Sequence, residues 1–293
     1  GDVYKRQILE FRKTNPEPKE VTKIREKILS TFNKLQFVEE THQYFLPDTT
    51  GNLIEYDCVS NVTHKFVPHE NWDLIAENYA IKHNKPKELV QEEWHYNNIR
   101  ATNSGTGVHL YGEMWMELFL GHPDNICDII KPQYQDGYLL PHSPKEEAVA
   151  KFNEDLFRTP NMYPVLAETK VYTGVNENVK KLNNNYAGTF DILYYFKHPT
   201  DNEKSGLLIL DYKTNNDLYS KYNIDNNKML LEPFTNMVNQ NLSLYTLQLS
   251  CYQIPLEDIG MKVLGRRIIW VKPDGNYEKI PVPDVTNVLR NVL

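Results

Sequence analysis

Apolar positions in the first half of the chain recur mostly at helical spacing, and beyond residue 160 they gather into short unbroken runs. After Pro16 and Pro18, Val21, Ile24, Ile28 and Phe32 place one apolar stripe on residues 19–35, which predicts a helix. Residues 71–83 carry Trp72, Ile75, Ala76 and Tyr79 on one face, and 87–101 carry Val90, Trp94 and Ile99. At Ser104-Gly105-Thr106-Gly107 the residues of a cap and a turn predict a break, with a second helix running on to Leu120. Residues 121–146, rich in Pro, Asp and Gly, read as loop, and 147–158 as an amphipathic helix through Val149, Phe152 and Leu156. Between the first two helical stretches, residues 37–45 and 53–62 read as two strands around the Pro47–Asn52 turn, a ribbon most simply understood as scaffold.

The second half reads differently. Residues 164–172, 186–196 and 207–213 are strands, and the turns between them are too short for crossover helices, so they predict an antiparallel meander. A loop with basic Lys221 and Lys228 leads to a long helix at 235–256. Strands at 263–271 and 279–282 and a terminal helix at 285–293 complete the chain. From residue 147 the order is helix, three strands, helix, strand, an α/β (α+β) arrangement. Residues 1–35 form an accessory or capping segment. Residues 36–293 form one domain, with the hairpin and a helical wall in 36–146 and the core in 147–293.

Two of the apolar strands contain residues that do not belong there on packing grounds. Leu207-Leu208-Ile209-Leu210 ends in Asp211-Tyr212-Lys213, and side chains two apart share a face, so Asp211 and Lys213 emerge together with Tyr212 on the other side. Asp191 lies inside the preceding strand, in a Gly188-Thr189-Phe190-Asp191 context. A carboxylate buried in such a strand is costly unless it is paired or holds a cation. Two on adjacent strands can converge on Mg²⁺ or Mn²⁺, and a neighbouring Lys can orient or deprotonate a water, which is the equipment for hydrolysing a phosphodiester. The plainer alternative is an ion-pair network of Asp191 and Asp211 with Lys213 and Lys170. His109 and Glu113, four apart, would share a helix face; a lone helical His is more often structural than a ligand.

Composition narrows the class without choosing an activity. Apolar residues are 40% and charged residues 24% of 293, ordinary for a globular protein, and nothing resembles a membrane span or a signal peptide. Cys58, Cys127 and Cys251 show neither zinc spacing nor a disulfide framework, so a reducing, cytoplasmic setting is expected. A net charge of −7 argues against a protein that coats nucleic acid by charge alone, but not against an enzyme with local cations. The opening Asp2-Val3-Tyr4-Lys5-Arg6-Gln7 resembles translated sequencing-adapter sequence, and the first ~7 residues are read as artefactual.

With those residues in view, the chain resembles the PD-(D/E)XK nuclease superfamily, in the branch that includes the RecB nuclease domain and lambda-type phage exonucleases. Asp191 followed by Asp211-Tyr212-Lys213 is similar to its signature, and Gly105-Thr106-Gly107-Val108-His109 with Glu113 to its Gly-Thr-x-x-His helix. Glu168 resembles the Glu of the preceding strand, and Gln248-Leu249-Ser250-Cys251-Tyr252 the Gln-x-x-x-Tyr helix. The likeness runs from about residue 37 to the end. It implies metal ligation by His109, Asp191, Asp211 and the Tyr212 carbonyl, with Lys213 on the nucleophilic water and Gln248 and Tyr252 positioning the strand. Glu168 and Glu113 would reach a second metal or anchor neighbours, and Glu147 competes with them for the place of the first motif's Glu. The iron–sulfur members of the branch need four cysteines; three scattered ones exclude that cluster here.

The function this resemblance implies is a Mg²⁺/Mn²⁺-dependent deoxyribonuclease, an exonuclease of phage or mobile-element recombination, working in the bacterial host cytoplasm. DNA is the expected partner, and a single-strand annealing protein and further copies of the chain are partners it admits. A structure-specific or restriction-type endonuclease is the alternative within the same chemistry. A non-catalytic DNA-binding subunit should have lost one of His109, Asp191, Asp211 or Lys213, and a glycosidase would leave Lys213 and His109 without a role. Residues 71–120 are expected to wall the site, with Trp72, Trp94 and Trp115 either in that wall or, more simply, in the core. Lys170, Lys180, Lys181, Lys221, Lys228, Arg266 and Arg267 are the candidate phosphate contacts.

Overall fold

The computed structural model describes residues 16–293 apart from 177, 180 and 181, so the opening adapter-like residues and the candidate contacts Lys180 and Lys181 lie outside the described residues. In chain order the elements are α1 (Lys19–Phe32), β1 (Gln36–Val38), β2 (Gln43–Pro47), β3 (Leu53–Cys58), α2 (Val59–His64), α3 (Trp72–His83) and α4 (Lys87–Leu120). A minor hairpin, β4 (Tyr134–Gln135) and β5 (Tyr138–Leu139), precedes α5 (Pro144–Phe157), β6 (Met162–Tyr172), β7 (Tyr186–Phe196) and β8 (Gly206–Lys213). The chain ends with α6 (Lys221–Asp225), α7 (Asn241–Asp258), β9 (Val263–Val271), β10 (Tyr277–Pro281) and α8 (Thr286–Val292).

The meander forms as expected. β6, β7 and β8 are antiparallel neighbours, and α7 carries the chain over to β9, parallel to β8. The whole main sheet is mixed, running β1-β2-β3-β7-β8-β9-β10 with β6 beside β7, so the fold is α+β. Two apolar layers cover it. Leu207, Ile209 and Ile268 face a core completed by Leu247, Cys251 and Ile254 of α7 and Leu289 of α8. Leu210, Tyr212 and Ile269 face a second core completed by Tyr111, Trp115 and Phe119 of α4 and Val149 and Phe152 of α5. Among the described residues no helix is long and apolar enough to cross a membrane.

Four expectations change. The break at residues 104–107 is absent, and α4 runs unbroken for 34 residues. Gly and Ser cost at most about 1 kcal/mol each in a helix, which the packing of Tyr111, Trp115 and Phe119 in the following turns outweighs. The strand expected at 37–45 is itself a tight hairpin, β1 against β2, and the one at 53–62 turns helical at Val59. The long helix begins at Asn241, six residues later than its apolar pattern suggested, because Met229 and Val238 form a bridge ahead of it. Finally, α1 is more than a cap. It buries Val21, Ile28 and Phe32 in the α7-side core, and Arg25 donates to the carbonyls of Pro164 and Val165.

Candidate functional site

A strand has two edges, yet β7 has three partners. β6 occupies one edge along nearly its whole length. The other edge is shared: β3 pairs at Tyr186 and Ala187, and β8 at Ile192 to Phe196. Between them, over residues 188–191, the sheet forks. Asp191 sits at the crotch. Continuing the register from Ile192↔Leu210 puts Asp211 opposite Asp191, and the flanking pairs Ala167↔Ile192 and Thr169↔Phe190 put Glu168 opposite it on β6. Three carboxylates thus lie in one row across three strands. Like charges in direct opposition are unfavourable in a sheet, so this row is not there for stability.

Local backbone features aim the row into the fork. β6 slips register between Pro164 and Leu166, and Glu168 has φ +44°, a left-handed value that a non-glycine residue inside a strand adopts only under constraint. Where the β7–β8 ladder stops, the Asp191 side chain replaces it, with Oδ2 accepting the Tyr212 backbone N–H at 2.8 Å. Tyr212 points away, as the strand alternation requires. Its hydroxyl accepts from Asn153 at 2.8 Å within the α5-side core.

His109 arrives from α4 through a close helix–strand approach. Gly112 lies directly on the Tyr212 ring, where any Cβ would overlap it, and one turn earlier His109 Nδ1 sits 3.1 Å from Asp191 Oδ2. Gly188 does the same on the other side. A Cβ there would stand 2.7 Å from both the Tyr252 ring and Val59, so its absence lets α7 and α2 close on β7. Ligand atoms of His109, Glu168 and Asp191 all lie within 4.8 Å of one another. Asp211, expected as a ligand, is 2% exposed, and its Oδ2 is 2.6 Å from Lys213 Nζ. That contact is an ion pair without the alignment of a hydrogen bond, so the buried oxygen still lacks an aligned donor.

The electrostatics follow from crowding. Burial, reinforced by the Asp191 charge, pushes Glu168 up to about 8 and Asp211 up to about 6. Burial would raise Asp191 too, but the His109 imidazolium beside it holds it below the usual carboxylate range. Burial would lower His109; the Asp191 carboxylate overrides that and takes it up to about 9. Lys213 likewise resists burial because Asp211 and Asp191 hold it raised, so it is an ammonium at neutral pH. Glu113, raised by burial and by Glu117, faces the same cavity.

That cavity, about 1550 Å³, contains every expected site side chain except that of Tyr212: His109, Glu113, Glu168, Asp191, Asp211, Lys213, Gln248 and Tyr252. Gln248 donates to the Tyr252 hydroxyl at 3.0 Å, so the two act as one unit on α7. Residues missed from the sequence complete the lining. Tyr245 places its ring 4.3 Å from Lys213 Nζ and donates to Asn215 at 2.6 Å. Its spacing to Gln248 and Tyr252 (i, i+3, i+7) was a legible sign. Lys145 at the start of α5 donates to the Thr214 carbonyl, and nothing in its local sequence announced it. The polar face of α4 from Asn97 to Thr106 forms one wall and the β1–β2 hairpin another. The tryptophans take no part in that lining. Trp115 is buried in the α5-side core, Trp94 packs edge-on against Tyr79, and Trp72 is 64% exposed. Of the expected phosphate contacts among the described residues, only Lys170 lines the cavity. Arg266 is instead buried against Gln253 and Asp284, and Lys221 and Lys228 pair with Asp225 and Glu70. Arg267 also lies outside the lining.

Compared with known proteins, the chain matches no family model and no curated protein. The site therefore has to be read from its own chemistry. An imidazole and two carboxylates brought together around a fork, one carboxylate driven by burial and by its neighbour's charge to hold a proton, could hold a divalent cation. The cation would relieve the repulsion that the protons now relieve.

Proposed function

We propose that this protein is a divalent-metal-dependent nuclease that hydrolyses DNA phosphodiester bonds, and that its meander with α5, α7 and β9 is a PD-(D/E)XK core. The observation that carries the reading is the convergence in one cavity of Glu168, Asp191 and Asp211 in a row, with Lys213 at the strand end and His109 opposite. His109, Glu168 and Asp191 would hold Mg²⁺ or Mn²⁺, the imidazole favouring Mn²⁺, with Asp211 and the Tyr212 carbonyl adjoining. The ion would neutralise phosphate charge and acidify water.

The chain's own groups have separable tasks. Lys213 is a cation, so its part is to orient the attacking water by hydrogen bonding and to steady the charge that grows on the phosphate, rather than to remove a proton. Asp211 fixes the ammonium from within the strand. Tyr245 holds it from the open side with its ring face, and the α7 pair Gln248–Tyr252 flanks the fork. Lys145 and Lys170 line the same cavity and would supply positive charge to a substrate strand. Walls on both sides of the fork favour entry of a strand end, and hence an exonuclease, over a continuous duplex.

The test is degradation of end-labelled linear DNA and of covalently closed circles in Mn²⁺, Mg²⁺ and EDTA. Linear DNA alone should be degraded, only with metal, and Lys213→Ala and Asp211→Ala should each lose at least about a hundredfold. Cleavage in EDTA, or undiminished cleavage by both variants, excludes the mechanism; cutting of closed circles makes the enzyme an endonuclease.

A further inference from the structure

We propose that the β1–β2 hairpin carries a stacking subsite for an unpaired nucleobase, formed by Phe37, His42 and Tyr44. The proposal rests on the nuclease reading and names what its substrate presents: a single-stranded stretch beside the scissile phosphate.

Phe37 and Tyr44 are direct cross-strand partners with ring centroids 4.7 Å apart. His42, in the turn between them, stands edge-on to both, 5.2 Å from Phe37 and 6.0 Å from Tyr44. The three differ in exposure in a stepped way, with Tyr44 buried, Phe37 half-buried and His42 exposed. Tyr44 is the anchor. Its hydroxyl is 3.0 Å from Thr189 Oγ1, two residues before Asp191, which ties the ring cluster to the metal-site strand. Hairpin stability alone accounts for Phe37 against Tyr44, since such pairs stabilise ribbons. It does not account for His42. An exposed imidazole at φ +54° gains little for the fold by being held against two rings. Nor does it account for all three rings lining the cavity that holds Asp191 and Lys213.

The surrounding charges select a base rather than backbone at this spot. Glu39 lines the same cavity and disfavours a phosphate beside it, while its carboxylate can accept from a base's exocyclic amine or, in thymine, from the ring N3–H. Lys170 lies 5.7 Å from the Phe37 ring centre and offers the adjacent phosphate its counter-charge. Rings that meet a base face, with one cation beside them, form a sequence-tolerant single-strand platform.

The experiment measures binding of fluorescein-labelled oligothymidylate and of an abasic strand of equal length by anisotropy, in Ca²⁺ and in a Lys213→Ala background that cannot turn over. Oligothymidylate should bind more tightly than the abasic strand. Phe37→Leu combined with His42→Gly should weaken oligothymidylate by about tenfold or more and leave the abasic strand within about twofold. Leucine keeps the apolar volume and glycine suits the left-handed turn, so both changes preserve the hairpin; His42→Gly alone, read the same way, covers any loss of folding in the pair. Equal affinity for the two strands, or equal losses on both, overturns the stacking subsite while leaving the nuclease standing. Binding of neither strand overturns both.

Discussion

Glu168 bears two costs at once, a left-handed backbone and a carboxyl facing Asp191, and the second makes an expectation for the metal-free protein. Its folded value of about 8 lies above the ordinary 4.5, so the stability it contributes is complete below about 4.5 and is lost as pH rises through 8. His109, raised from 6.5 to about 9, acts in the same sense, contributing fully below 6.5 and losing its contribution as pH rises through 9. These two groups should therefore make the metal-free protein melt progressively lower from about pH 4.5 to 9, most steeply between about 6.5 and 8 where both contribute, and Mn²⁺ should restore more stability at pH 8.5 than at 6.5, because the ion competes less with those protons. Differential scanning fluorimetry at several pH values, with and without Mn²⁺, checks both halves. Glu168→Gln should raise the metal-free melting temperature above pH 8 and weaken Mn²⁺ binding at least about tenfold, separating the carboxyl's charge from its place in the fold. The sequence showed that Asp191 and Asp211 were misfits in apolar strands. It did not show that Glu168 stands in the same row, because that depends on a register slip at Val165 that no local pattern encodes.

At the scale of elements, α4 shows how composition can mislead. Ser104-Gly105-Thr106-Gly107 has the residues of a helix end, yet here small side chains thin a continuous helix where it passes the cavity. A Cβ at Gly105 would stand 3.3 Å from Thr214, whereas one at Gly107 would meet nothing within 4 Å. The glycines of one helix should therefore respond with opposite signs. Gly107→Ala should stabilise by about 0.5–1 kcal/mol through helix propensity. Gly112→Ala gains the same propensity but drives a methyl into Tyr212, and should destabilise by a net ~1–3 kcal/mol while shifting His109 away from Asp191. Urea denaturation measures both, and loss of Mn²⁺ binding in Gly112→Ala reports the displacement. The three-stranded meander, α7 and the hand-over to β9 were legible from apolar runs and turn lengths. The hairpin's part in the site was not, because two-residue pairing between β3 and β7 is a long-range contact with no signature in either strand.

For the whole molecule, a net charge of −7 means that, on the proposed nuclease reading, DNA would be held by few cations against a repulsive background. Arg100, Lys145, Lys170 and Lys213 line the cavity, and Lys213 is already paired with Asp211. Three phosphate contacts give an expected salt dependence of about −2 to −3 in log K against log[KCl]. Anisotropy titrations from 50 to 300 mM salt test this, and a slope near −8 would mean a basic surface elsewhere. Backbone attachment across the fork is similarly economical, although Tyr44 and Tyr56 also pack into the α7-side core. The β1–β3 ribbon joins the central strand through Asp57↔Tyr186 and Cys58↔Ala187, and Tyr44 adds one hydrogen bond to Thr189. Glu168, Asp191, Asp211 and Lys213 lie on strands that it does not interrupt. Such a join allows residues 36–58 to be exchanged as a cassette without redrawing the ladder that sets the carboxylates, provided the core contacts of Tyr44 and Tyr56 are kept. On the proposed nuclease reading, a different ribbon would rewrite which nucleic-acid ends are accepted and leave the chemistry unchanged.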